Sequence, residues 1–116
     1  LTYAVVGASN DTDKFGYKVL FDLLDNGYSA IPINPKGEYI EDVVVFKSLK
    51  EISQKVDVVV FVVPPIITEK VLVEVQKLGI KKVWMQPGSS SFDAIDYCEK
   101  NNIDCMHDVC VMLNKN

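Results

Sequence analysis

The sequence predicts an open, mainly parallel α/β sheet of about five strands with helices on both faces, a Rossmann-like architecture. Three observations lead there. Strand-like and helix-like segments alternate along the 116 residues. The clearest strand, Asp57-Val58-Val59-Val60-Phe61-Val62-Val63, is continuous in apolar, mostly β-branched residues, as a strand covered on both faces requires. The connections are short, with glycine where helices end. Counting strands in chain order, right-handed crossovers favour the order 3-2-1-4-5, with a ligand crevice over the carboxyl ends of strands 1 and 4.

Residues 2–6 alternate loosely and run into Gly7, a short buried strand entering a tight turn. From 14 to 25 the apolar positions Tyr17, Val19, Leu20, Phe21, Leu23 and Leu24 follow a helical stripe that Asn26-Gly27 stops. The second strand, 28–33, ends at Asn34-Pro35. After a Lys36-Gly37 turn, residues 39–46 hold one or two short extended pieces, and Ser48 is placed to cap a brief helix over 49–53. The strand at 57–63 precedes a helix over 68–78, with Val71, Leu72 and Val75 on one side and Gly79 closing it. Residues 82–85 form a strand with Trp84 directed into the core, 92–100 a helix, and 103–106 the last strand.

Composition narrows the function classes. With 48% apolar and 24% charged residues and no low-complexity tract, residues 1–116 read as one folded domain. A net charge of -4, from 16 acids against 12 bases, argues against a nucleic-acid partner, which needs a concentrated basic face. A small phosphorylated ligand needs only backbone amides and one or two cations. All 12 bases are lysines, so any phosphate pocket uses ammonium groups and N–H groups without guanidinium forks. The longest apolar stretch, 58–67, is interrupted by Pro64 and Pro65 and falls well short of the roughly 20 residues of a membrane helix, so no membrane partner is expected. No basic region followed by an apolar run, the mark of a secretory leader, opens the sequence. Three cysteines, Cys98, Cys105 and Cys110, form no CxxC pair, which points to a reducing, cytoplasmic setting. With His107 as the only histidine, no metal site is expected.

Function in such sheets collects at the carboxyl ends of the strands. Those ends are Gly7-Ala8-Ser9-Asn10, Ile33-Asn34-Pro35-Lys36, Val63-Pro64-Pro65 and Gln86-Pro87-Gly88-Ser89. Taken singly, each also reads as an ordinary turn; four of them on one face point to a site. Gly7, Ser9 and Gly16 depart from GxGxxG spacing but keep its elements, a turn without a Cβ, a hydroxyl, and a helix N-terminus whose amides and dipole face an anion. The second strand ends without the Asp or Glu that holds the ribose of NAD, and Lys36 follows it. An ammonium there suits a ribose phosphate, as in NADP or coenzyme A (CoA), although a solvated turn lysine is the plainer alternative.

The set Val5-Val6-Gly7-Ala8-Ser9, Ile33-Asn34-Pro35-Lys36, Val63-Pro64-Pro65, Trp84-Met85-Gln86-Pro87-Gly88 and Asp108-Val109-Cys110 closely resembles the stand-alone CoA-binding domain proteins. These are similar in fold to the CoA-binding domain of the succinyl-CoA synthetase α subunit. The resemblance covers essentially the whole chain and implies a bound CoA or acyl-CoA across the strand ends. It places Gly7, Ala8, Ser9 and Lys14 along the diphosphate, with the helix starting at Gly16 behind them. It sets Asn34, Pro35 and Lys36 beside the adenosine and its 3′-phosphate, Val63, Pro64 and Pro65 at the adenine or the start of the pantetheine arm, and Gln86 and Gly88 along that arm. The Asp-Arg-Cys usual in the family is Asp108-Val109-Cys110 here, so this segment has no guanidinium to offer a phosphate.

The phosphohistidine and nucleotide-grasping domains of the synthetases have no counterpart in these residues. His107 reads as structural or surface-exposed, Cys98 and Cys105 as packing residues, and Cys110 as the one thiol placed to act as a nucleophile, although a neighbouring Asp108 raises a thiol's pKa. A CoA- or acyl-CoA-binding module without catalysis of its own is the expectation. An NADP-binding oxidoreductase or redox-sensing domain, or a thiol regulator forming a mixed disulfide between Cys110 and CoA, are the alternatives; protein partners and oligomeric state are left open.

Overall fold

The computed structural model describes residues 1–114. Strands β1 (Thr2–Val6), β2 (Ser29–Ile33), β3 (Val58–Phe61), β4 (Lys82–Met85) and β5 (Asp104–His107) form one sheet in the order β2-β1-β3-β4-β5, with every neighbouring pair parallel. Helix α1 (Phe15–Asp25) links β1 to β2, α2 (Pro65–Lys77) links β3 to β4, α3 (Phe92–Lys100) links β4 to β5, and α4 (Val111–Asn114) follows β5. The Rossmann-like class is as the sequence predicts.

The strand order corrects the expected 3-2-1-4-5, because residues 39–46 form no strand. They make two isolated bridges, Ile33 to Phe46 in parallel and Ile40 to Val43 antiparallel. Pro32 supplies the reason: it has no N–H to give a ladder along the outer edge of β2. Its carbonyl accepts the Phe46 N–H at 3.0 Å, and the Phe46 carbonyl accepts the Asn34 N–H at 2.9 Å. That short contact closes the sheet edge, and Tyr17 pins the rest of the loop by donating its hydroxyl to Glu41 Oε2 at 2.7 Å.

Alternation along the strands sorts the core into two layers. Ala4, Val6, Val59, Phe61, Val83 and Met85 face one side, where Leu72 and Val75 of α2 and Ala94 and Cys98 of α3 cover them. Tyr3, Val5, Val58, Val60 and Trp84 face the other, under Val19, Leu20 and Leu23 of α1 and Val111 of α4. Trp84 is buried as expected, and its Nε1–H donates to the Val109 carbonyl at 2.7 Å. Because α1 and α2 lie on opposite faces, they start on either side of the carboxyl ends of β1 and β3. The crevice falls where the sequence places it.

Helix α2 begins at Pro65, three residues ahead of the predicted 68. Pro64 at the N-cap accepts the Ile67 and Thr68 N–H groups at 2.9 and 3.3 Å, and Pro65 sits at the first helical position, where its missing N–H costs nothing. Helix α3 matches the predicted 92–100. Ser48 precedes a 3-10 helix at Leu49–Glu51 but makes no side-chain cap bond. Among the described residues no helix is long and apolar enough to cross a membrane.

Two glycines bring α1 onto the end of β1. Gly7 has φ of +98°, and a Cβ there would overlap the Val62 carbonyl oxygen; a Cβ on Gly16 would overlap the Gly7 carbonyl oxygen. Gly16 in helix α1 thus rests directly on the turn that leaves β1. Gly16→Ala is expected to push α1 away from this turn and to cost about 1–3 kcal/mol, the range for overpacking a tight contact. A thermal melt followed by circular dichroism checks this: the midpoint should fall by several degrees, and an unchanged midpoint would show that the contact relaxes freely.

Candidate functional site

Helix α1 starts without the usual side-chain help. Its N-cap is Lys14, which makes no cap hydrogen bond, and its first turn has no acid. Helix α3 provides the contrast: Ser91 Oγ accepts the Ala94 N–H at 3.0 Å, and Asp93 lies in the first turn. A cation at a helix N-terminus is unfavourable beside the positive end of the dipole, whereas an anion is stabilised there. Uncapped amides together with Lys14 therefore leave a positive spot at the mouth of the crevice, suited to phosphate. In the loop before it, Ser9 Oγ accepts the Asp11 N–H at 3.0 Å, which leaves its O–H free to donate to a ligand. Asp11 turns its own carboxylate into the loop, accepting the Asp13 N–H at 3.0 Å.

Asn34 ties the first two strand ends together. Its Nδ2 donates to the Ala8 carbonyl at 3.0 Å and its Oδ1 accepts the Lys36 N–H at 2.9 Å. Ser89 does the same for the other pair: Val63 N–H donates to its Oγ at 3.1 Å, and its N–H donates to the Gln86 carbonyl at 2.9 Å. Asn34 thus acts on the shape of the loops, a job for a side chain with both a donor and an acceptor.

Two cavities flank this row of strand ends. One, of about 380 Å³, lies on the α2 side and is mainly apolar, lined by Val6, Gly7, Ile33, Pro35, Leu49, Val63, Ile67 and Val71, with Lys47, Ser48, Lys70 and Glu74 around it. The other, of about 160 Å³, lies on the α1 side between Phe15, Val62, Gln86, Pro87 and Cys110. Gly7 lines the first and packs its backbone on Val62, which lines the second. A larger hollow of about 500 Å³ sits in the 37–45 loop, but Glu38, Glu41 and Asp42 line it and would repel a phosphorylated ligand.

The family described as CoA binding domain matches residues 1–116. The chain belongs to that CoA-binding family. It is 40% identical over 81 residues to the α subunit of an ADP-forming acetate–CoA ligase II from Pyrococcus furiosus, covering 69% of this chain and 18% of that subunit. It is 38% identical over 78 residues to an ADP-forming acetate–CoA ligase of Methanocaldococcus jannaschii, covering 67% of this chain and 11% of the ligase. The chain thus spans under a fifth of either protein. A conserved hypothetical protein from Pyrococcus furiosus has the same fold over 97% of both chains, with a TM-score of 0.92 and 38% identity.

Within this CoA-binding domain the sequence-selected residues divide. Gly7, Pro35 and Val63 come together in the larger cavity and Gln86 lines the smaller one, while Ala8, Ser9, Lys14 and Gly16 form the turn and helix start between them. Lys36, Pro64, Pro65 and Gly88 line neither cavity. Sequence reading missed Lys47, Ile67, Lys70, Val71 and Glu74, which reach the site from the loop after β2 and from one face of α2. The 67, 70, 71, 74 spacing is a helical face, legible once α2 is known to start at Pro65.

Gln86 is buried, and besides lining the smaller cavity it holds the C-terminal segment. Its Oε1 accepts the Val111 N–H at 2.8 Å and its Nε2 donates to Cys110 Sγ at 3.2 Å. Of the other thiols, Cys98 is fully buried in the α2/α3 layer, and its hydrogen bond with Cys105 together with burial pushes its pKa up. The same bond holds Cys105 down, and the His107 charge adds to it. His107 Nδ1 pairs with Asp108 Oδ2 at 2.7 Å. Gln86→Leu keeps the bulk but leaves the Val111 N–H buried without a partner, at a cost of about 1–3 kcal/mol. Hydrogen exchange at the Val111 amide should speed up markedly in that variant; an unchanged rate would remove Gln86 as the anchor of this segment.

Proposed function

We propose that residues 1–116 act as one unit that binds CoA or an acyl-CoA across the carboxyl ends of β1, β2, β3 and β4. Adenine occupies the larger cavity, the diphosphate meets Gly7, Ala8, Ser9, Lys14 and the start of α1, and the pantetheine arm runs toward Phe15, Val62 and Gln86. The observation that carries this reading is the pairing of two apolar cavities on opposite faces of the sheet, joined at the Gly7 turn, with an uncapped helix N-terminus beside that turn. CoA has the matching order of parts: a flat base, a charged diphosphate, then a long arm of methylenes and amides. Membership of the CoA-binding family and the likeness to acetate–CoA ligases support the same ligand.

The chain holds its ligand without transforming it and works in a cytoplasmic, reducing setting, as its three unbridged thiols suit. A ligand that binds the folded state alone stabilises it by RT ln(1 + [L]/Kd), about 2.7 kcal/mol at a hundredfold excess over Kd. Thermal-shift titration with CoA and with NADP is the test. CoA should raise the melting temperature at lower concentration than NADP does; tighter binding of NADP would replace this reading with the dinucleotide one.

A further inference from the structure

Two of the three thiols meet away from both cavities. Cys98 sits in the last turn of α3 and is fully buried in the layer that α2 and α3 lay on the sheet. The chain then turns back within a few residues: the Ile103 N–H donates to the Cys98 carbonyl at 2.9 Å, and β5 starts at Asp104. Alternation along β5 puts Cys105 on the face of its β4 neighbour Val83, and its side chain packs against the same layer. A hydrogen bond joins the two thiols, and Met85 Sδ lies 3.9 Å from Cys105 Sγ. Cys110 stands apart, lining the smaller cavity on the opposite face of the sheet. The pair is also asymmetric. Cys98 is shut off from solvent, whereas Cys105 belongs to an edge strand and is partly exposed. The Cys98 thiol donates the shared hydrogen bond, which together with burial keeps its proton in place. Accepting that bond holds Cys105 toward the thiolate, and His107, next on the same face of β5, adds to this against burial, Asp104 and Asp108.

We propose that Cys98 and Cys105 form a reversible disulfide when the protein meets a hydroperoxide, a modification site separate from the ligand crevice. The Cys105 thiolate attacks a peroxide oxygen and the O–O bond breaks. With hydrogen peroxide this gives a Cys105 sulfenic acid, and the departing hydroxide takes up a proton and leaves as water. The Cys98 sulfur then attacks the Cys105 sulfur, its S–H proton leaves with the sulfenic hydroxyl as a second water, and the S–S bond forms. Two thiols thus give up two electrons and two protons, and one peroxide is reduced to two waters. Because Cys98 already lies against Cys105, the bridge intercepts the sulfenic acid before a second peroxide carries it to sulfinic acid. The bond staples the end of α3 to the strand that leads into the Cys110 segment. In a reducing setting it is transient, reopened by exchange with another thiol.

Mass spectrometry of the folded chain after brief exposure to hydrogen peroxide, with remaining thiols then alkylated, tests the assignment. Cleavage after Lys100 and before Asp108 puts the three cysteines on separate peptides. The expected product is a linked Cys98–Cys105 peptide that dithiothreitol reopens, while Cys110 alkylates as in the untreated chain. Cys98→Ala should stop at a Cys105 sulfenic acid that dimedone traps, and Cys105→Ala should leave Cys98 reduced; the unmutated chain carries the test if either variant fails to fold. A link from Cys110 to either thiol, oxidation of Cys110 ahead of the pair, Cys105 carried past sulfenic acid without a bridge, or three thiols that all stay free overturns the proposal. None of these outcomes touches the CoA reading, which titration with CoA tests separately.

Discussion

The carbonyl of Gly7 occupies the space in which a side chain at Gly16 would begin, and the carbonyl of Val62 does the same for Gly7. Three backbone segments, the end of β1, the start of α1 and the residue after β3, are thereby pressed together with no side chain between them. The shape of the carboxyl edge follows from that approach. It aims the uncapped amides of α1 at the crevice and lets Val62 and Val63 diverge to opposite faces, one lining each cavity. Any residue with a Cβ would hold the helix back, and the positive φ of Gly7 adds a second reason for glycine there.

Around that contact, polar side chains act mainly as braces. Asn34 ties the β1 and β2 loops, Ser89 the ends of β3 and β4, and Gln86 ties β4 to α4. Such side chains satisfy loop backbone groups that would otherwise be buried unpaired, and so hold the rim in one shape before a ligand arrives. Lysines stand along this edge, Lys14 at the α1 N-terminus and Lys47 and Lys70 at the wall of the larger cavity. A chain with net charge -4 can thus present a positive crevice, because charge is read locally over about a Debye length.

Much of this was legible in the sequence. The β-branched run at 57–63 and the turn at Gly7 gave the central strands, and the apolar stripe with Asn26-Gly27 gave α1. The four strand ends gave the face on which the two cavities lie. What stayed hidden depended on tertiary contact. Residues 39–46 have strand composition, but Pro32 in the neighbouring strand denies them a ladder. Pro64-Pro65 looks like a loop until the second proline is seen at the first helical position. Lys36 stands next to the strand end in sequence but does not line the cavity, while Lys47 and Lys70 are remote in sequence and line it. Gln86 lines the smaller cavity as the strand ends suggest, and its bonds to a C-terminal segment 25 residues on were not legible in the sequence.

A crystal structure of the complex with CoA tests the central claim most directly. The adenine is expected between Ile33 and Ile67 on the α2 side, the diphosphate at the Gly7 turn and the first amides of α1, and the pantetheine arm passing Val62 toward Gln86. CoA found at the amino ends of the strands, or in the acidic hollow of the 37–45 loop, would contradict it.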